Sequence, residues 1–213
     1  MADLSIIIPM YNSCKNVAET LHKLYIQAQD VKIDLQVIVI NDGSSESVVD
    51  VKRKCKQYGF EYYSQANAGG AATCNRGLEK VKGDYFTFID ADDSITDGYV
   101  AIMAEEVKSG AEFITNKWLT LDWRVGETFP MPLPNHNVWA NVYKSHYYKG
   151  IPFDEKRQVA WDWDWLQRAS EANASPITLH TNYLTNIYND INPDSITNKH
   201  LRGEIGEWGD DAC

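Results

Sequence analysis

Short apolar runs alternate with stretches of helical period through the first 93 residues, and this alternation limits the fold more than any single motif. Leu4 to Pro9 is a β-branched run that reads as a buried strand closed by proline. Tyr11-Asn12-Ser13 follows as a turn and cap signal, and Val17, Leu21, Leu24 and Ala28 then recur at helical spacing. Val37 to Ile40 is a second buried strand, closed by Asn41-Asp42-Gly43-Ser44, with a helix to about Tyr58 behind it. Phe60 to Ser64 reads as a third strand and Gly69 to Val81 as a helix entered through two glycines. Tyr85 to Ile89 is a fourth strand, ending in Asp90-Ala91-Asp92-Asp93. Strand alternating with helix predicts a mostly parallel sheet with helices on both faces, and such sheets bind ligands at the carboxyl ends of their strands. Three polar clusters, at Tyr11-Asn12, Asn41-Asp42-Gly43 and Asp90-Ala91-Asp92, fall at those ends and should converge.

Composition narrows the class. A chain of 213 residues supports one sizeable core and is short for two full domains. The net charge of −10 disfavours nucleic acid and anionic membrane as general partners, although carboxylates gathered around a cation are a separate matter. No Cys-x-x-Cys pair or Cys/His zinc spacing involves Cys14, Cys55, Cys74 or Cys213, so reduced thiols are expected. No stretch is long and apolar enough to span a bilayer, and a soluble cytoplasmic protein is the expectation. Seven Trp and twelve Tyr are many for this length; most should pack, and some should line a site.

Asp90, Asp92 and Asp93 directly follow an apolar strand. Three acids at such a mouth repel one another unless a cation sits among them, and hard oxygen donors suit Mg²⁺ or Mn²⁺ bridging phosphate oxygens. A solvated turn with a helix cap is the plainer alternative.

The segment Ser5-Ile6-Ile7-Ile8-Pro9-Met10-Tyr11-Asn12 resembles the opening strand of glycosyltransferase family 2. Val37 to Ser44 resembles the family's second strand with its Asp-Gly-Ser turn. Asn67-Ala68-Gly69 with Asn75-Arg76-Gly77 is similar to its Asn-x-Gly and Ala-Arg-Asn-x-Gly helix, and Gly83 to Asp93 to its Asp-x-Asp segment. Four motifs in this order cover about the first half of the chain. The resemblance implies a GT-A fold, a Rossmann-like mostly parallel sheet flanked by helices with a smaller acceptor-binding half. It implies nucleotide-sugar contacts from Pro9, Tyr11, Asn12, Asp42, Asn67, Gly69, Arg76, Asp90 and Ala91. Asp42 would meet the base or ribose, Asp90 the ribose and metal, and Asp92 would be the direct metal ligand. Where the family has Arg in its Ala-Arg-Asn stretch this chain has Cys74, and Arg76 lies on a different helix face.

In the second half, strands are expected at Phe113 to Asn116 and Trp118 to Trp123, a Pro-rich loop at Pro130 to Pro134, and helices near Asn141 to Tyr148 and Asp162 to Ala172. Trp161-Asp162-Trp163-Asp164-Trp165-Leu166 resembles the family's Glu-Asp-Trp-x-Phe segment, which makes Asp162 the implied catalytic base. The family Glu is replaced by Trp161, and Asp164 competes for the role. Asp162 could instead merely cap the helix. Tyr188 to Thr197 resembles the family's closing segment, with Asn192 as a candidate near the metal or diphosphate and His200 as a weaker one. The whole reads as one domain over residues 1–213, with a nucleotide-sugar half at 1–93, an acceptor half at 94–213, and a polar tail after Ser195 expected to be mobile.

The implied activity is metal-dependent, inverting transfer of a sugar from a nucleoside diphosphate donor, UDP-linked by expectation. The acceptor is a hydroxyl on a glycan, lipid-linked sugar, protein or modified nucleic-acid base. Two other classes stay open: a non-catalytic nucleotide-sugar-binding module and a sugar-phosphate nucleotidyltransferase. The second is disfavoured by Met10-Tyr11-Asn12-Ser13, where a Gly-rich basic loop would stand.

Overall fold

In the first strand, side chains alternate between two buried faces. In β1 (Leu4–Met10), Leu4, Ile6, Ile8 and Met10 enter one core and Ile7 the other. β2 (Leu35–Asp42) divides likewise, with Val37 and Val39 on the first face and Ile38 and Ile40 on the second. Both faces are covered, which is why these strands read as unbroken apolar runs. The computed structural model describes residues 2–122, 127–131, 138–157, 159–173 and 176–188. Asn192, His200 and the tail after Ser195 lie outside the described residues, as do residues 132–134 of the expected Pro-rich loop, whose Pro130 and Met131 belong instead to a strand paired with Leu119 and Trp118.

The first face is covered by α1 (Cys14–Ala28), α2 (Val49–Tyr58) and α4 (Tyr99–Glu106). The second is covered by α3 (Gly70–Lys80) and α6 (Trp161–Ala172). A Cβ at Gly77 would overlap the Ile7 side chain, so glycine lets α3 lie close on β1.

Nine strands form one sheet among the described residues, in the order β3-β2-β1-β4-β8-β6-β9-β5 with β7 against β6. β3 (Glu61–Gln65), β2, β1 and β4 (Tyr85–Phe88) are mutually parallel, as the alternation predicts. β1 continues through Pro9 to Met10, because β4 stops pairing at Ile7 and leaves only β2 beside the proline.

Beyond β4 the sheet is mixed. β8 (Asn141–Lys144) runs antiparallel to both β4 and β6 (Phe113–Asp122), and β9 (Thr178–Tyr188) runs parallel to β6. The helix expected near Asn141 to Tyr148 is therefore strand β8 followed by a single turn, α5 (Ser145–Tyr148). Asn141, Val142 and Tyr143 are all buried between neighbouring strands, and that pairing overrides their local preference. The two strands expected at Phe113 to Asn116 and from Trp118 form one, with register shifts around Lys117. β5 (Ser94–Ile95), β7 (Glu127–Met131), α4 and β9 were not anticipated. Among the described residues, no helix is long and apolar enough to cross a membrane.

Candidate active site

Parallel pairing places the carboxyl ends of β1, β2 and β4 on one edge, so the polar clusters behind them gather there. Asn12 ties the first two together. Its φ of 56° turns the side chain so that Oδ1 accepts from Ser45 N at 3.0 Å and Ser45 Oγ at 3.2 Å, while its own N–H donates to Ser44 Oγ at 2.8 Å. Asn41 Oδ1 closes the same turn by accepting from Ser44 N at 3.1 Å. Tyr11 beside it is 53% exposed, and Pro9 is half-buried.

Asp42, expected at the base or ribose, is 3% exposed, and both its oxygens are engaged within the protein. Oδ1 accepts from Gln65 Nε2 and Ala68 N, each at 2.8 Å, and Oδ2 accepts from Gly69 N at 2.9 Å. Charge-assisted bonds to two successive amides fix the turn that leads into α3. Gly43 has φ 71°, and a Cβ there would lie 2.8 Å from Asn67 N, so the two turns touch through backbone. Asn67 and Gly69 are exposed, Ala91 is half-buried, and Gly69 has φ 91°.

The charges of three carboxylates from three segments act on the buried Cys74 thiol of α3. Cys74 is fully buried; burial first, then the charges of Asp90, Asp162 and Asp42, push its pKa well up. Asp90 follows β4, and its carboxyl is pushed up to about 8, first by burial and then by Asp92 and Asp162. Asp162 stands in the first turn of α6, and burial pushes it up as well. The thiol thus lies where acidic charges converge, and Arg76 stands about 200° round the helix from it. Arg76 is half-buried with no hydrogen bond to its Nε among the described residues.

No three His, Cys, Asp or Glu side chains among the described residues are placed to hold a metal by themselves. Asp90 and Asp92 fit a different mode, in which one or two carboxylates hold Mg²⁺ or Mn²⁺ and phosphate oxygens and water complete its shell. The crowding of Asp90 by Asp92 and Asp162 is what such a cation would relieve.

Asp164 sits in a different environment from Asp162. Arg168 donates to its Oδ2 from Nε at 2.9 Å, Arg168 Nη2 lies 2.7 Å from the same oxygen, and Arg157 Nε lies 3.3 Å from Oδ1. Trp165 is core, with Nε1 donating to Ile151 O at 2.8 Å. Three contributors were given no role from the sequence. Gln65 Nε2 donates both to Asp42 Oδ1 and, at 3.2 Å, to Thr73 Oγ1, and Asn75 bonds the backbone of Phe153. Asn75 lies within a quoted motif, but partners 78 residues away leave no local trace.

The family described as Glycosyl transferase family 2 matches residues 5–163. An uncharacterized glycosyltransferase of Escherichia coli, YibD, is 37% identical over 97 residues, covering 43% of this chain and 26% of YibD. An uncharacterized glycosyltransferase of Bacillus subtilis, YwdF, is 25% identical over 190 residues, covering 79% of this chain and 68% of YwdF. This chain thus spans about a quarter of YibD. Among solved structures, residues 1–349 of Staphylococcus aureus TarS in complex with UDP superpose with a TM-score of 0.73 at 18% identity, over 90% of this chain and 61% of that one. That likeness supports the fold, which is GT-A.

Proposed function

The chain belongs to glycosyl transferase family 2, and from that premise we propose that it moves a sugar from a nucleoside diphosphate donor to a hydroxyl acceptor, inverting the anomeric carbon. The observation that carries this reading is that parallel pairing brings Asp42 of β2 and Asp90 after β4 to one sheet edge, while the entry of α3 joins them to α6, with Asp42 bonding Gly69 N and Trp161, the neighbour of Asp162, lying over Gly70. Residues 1–93 serve the donor and 94–213 the acceptor. Asp42 shapes the nucleotide pocket by holding the 68–69 turn, and Pro9, Tyr11, Asn12, Asn67, Gly69, Arg76 and Ala91 line it. Asp90 and Asp92 would hold Mn²⁺ or Mg²⁺, which would supply positive charge against the leaving diphosphate. Asn192, outside the described residues, is the further metal-side candidate. Asp162 takes the proton from the acceptor hydroxyl as its oxygen attacks the anomeric carbon and the bond to the diphosphate breaks.

A UDP-linked donor is the first to test, since UDP occupies the structural relative TarS. Among acceptors, the net charge of −10 favours glycans, lipid-linked sugars or proteins over modified nucleic-acid bases. Free buried thiols at Cys14, Cys55 and Cys74 suit a reducing cytoplasm.

The decisive experiment is a screen of nucleoside diphosphate sugars for Mn²⁺-dependent thermal stabilisation, followed by UDP release with acceptor candidates. Stabilisation with turnover is the expected result. Affinity without turnover would make the protein a binding module, and stabilisation identical in EDTA would remove the cation from the scheme.

A further inference from the structure

Helix α3 spans the distance between the two halves of the site. Its entry is held from one side, because Gly69 N donates to Asp42 Oδ2 at 2.9 Å. One residue on, Gly70 lies under the ring of Trp161, where a Cβ would come within 2.9 Å of Cζ2 and 3.1 Å of Cε2. Trp161 is the first residue of α6 and the immediate neighbour of Asp162. Further along α3, Asn75 pairs with Phe153 as a strand would: Nδ2 donates to Phe153 O at 3.0 Å, and Oδ1 accepts from Phe153 N at 2.7 Å. The same Nδ2 reaches Glu155 Oε1 at 2.8 Å. The Phe153 ring is buried, stacks on Trp165 of α6 at 4.9 Å and meets Trp161 edge-on at 5.4 Å.

We propose that α3 sets the position of Asp162, with Asn75 acting through Phe153 and Trp161 acting through its seat on Gly70 as positioning residues. This rests on the reading of Asp162 as the base. An amide that satisfies both the N–H and the C=O of one residue fixes its position and its orientation together. A flat indole on a glycine fixes the height of the first α6 turn, since any β-carbon would lift it. Where the family pattern has Glu, this chain has Trp161, and it is the indole of Trp161 that lies on Gly70. A displacement of about 1 Å at a reacting group can cost about 100-fold in rate, so holding α6 has a kinetic consequence.

The test compares Gly70→Ala, Asn75→Ala, the pair Gly70→Ala with Trp161→Phe, and Asp162→Asn. UDP release is followed from UDP-glucose and UDP-N-acetylglucosamine with Mn²⁺, UDP affinity by calorimetry, and amide exchange in the first turn of α6, where Asp164 N donates to Ala160 O at 3.1 Å. Gly70→Ala and Asn75→Ala should each lower turnover about 10- to 100-fold and hasten exchange in that turn, with UDP affinity held within about twofold. The smaller ring of Trp161→Phe makes room for the added carbon, so the pair should recover turnover relative to Gly70→Ala. A merely structural role would give no such recovery in rate at constant UDP affinity. Unchanged α6 exchange in both single variants overturns the inference whatever the turnover. Unchanged turnover in Asn75→Ala, with Asp162→Asn silent, overturns the inference alone. Full turnover in Asp162→Asn brings down the base reading and the inference with it.

Discussion

Two aspartates two residues apart share a helix turn, and their surroundings predict opposite consequences for the same change. Asp162→Asn removes a charge that burial already disfavours and that adds to the crowding of Asp90. No arginine is paired with it among the described residues, so its loss should leave stability within about 1 kcal/mol of wild type. As the base, its removal should slow transfer about 10²- to 10⁴-fold, or about 3–5 kcal/mol of barrier. Asp164→Asn instead strips the partner from Arg157 and Arg168, whose side chains are 39% and 35% exposed against 16% for Asp164. That setting lies between an exposed pair, worth about 0–1 kcal/mol, and a buried one, whose breaking costs about 3–5 kcal/mol. A loss of about 1–3 kcal/mol lowers Tm by about 2–12 °C at this chain length. Thermal melts and UDP release on both variants, with donor affinity as the control, give the comparison. Asp162→Asn should be silent and stable, and Asp164→Asn active and less stable. If Asp164→Asn silences transfer while Asp162→Asn stays active, the assignment of the base is wrong by two residues.

Asp92→Asn should abolish cation-dependent UDP binding while the melt stays cooperative; UDP affinity that EDTA leaves unchanged in the wild type would contradict this. Asp42→Ala removes the acceptor for three hydrogen bonds and should cost about 3 kcal/mol in a denaturant melt, raising the donor KM more than it lowers kcat. A pure kcat defect would move Asp42 out of donor binding. Glu106 is 3% exposed, accepts from Asn116 Nδ2 at 3.1 Å, and is pushed by burial from 4.5 up to about 7. The folded chain holds that proton more tightly than the unfolded one, so its stabilising effect is complete below pH 4.5 and lost as pH rises through about 7. That gap corresponds to about 3 kcal/mol. Glu106→Gln should therefore match wild type near pH 4.5 and melt about 6–12 °C higher at pH 8; an equal gain at both pH values would contradict the burial argument.

What the sequence discloses and what it hides follow the same physical line. β1, β2 and β4 were legible because burial on both faces leaves an apolar run that stops where the site begins. The family match over residues 5–163 agrees with the motif order read from those strands. β9 was not legible, because Thr181, Thr185 and Asn186 are buried polar residues, and they erase the alternation that marks a strand. β8 read as helix because its burial is supplied by β4 and β6, neither of which is local. The site shows the same division. Asp42, Asp90 and Asp162 stand out by residue type beside strands and tryptophans, whereas the contacts around them join distant segments, Gln65 lying 23 residues from Asp42 and Phe153 lying 78 from its partner Asn75. A pattern within one segment names a carboxylate but cannot say what holds it. Asp42 shows the consequence most directly: its place at the end of β2 is legible, whereas its bonds to Gln65 and to the turn that starts α3 are not. A base at Asp162 would then depend on a run of contacts, Asp42 to Gly69, Gly70 to Trp161, that no single stretch of sequence contains.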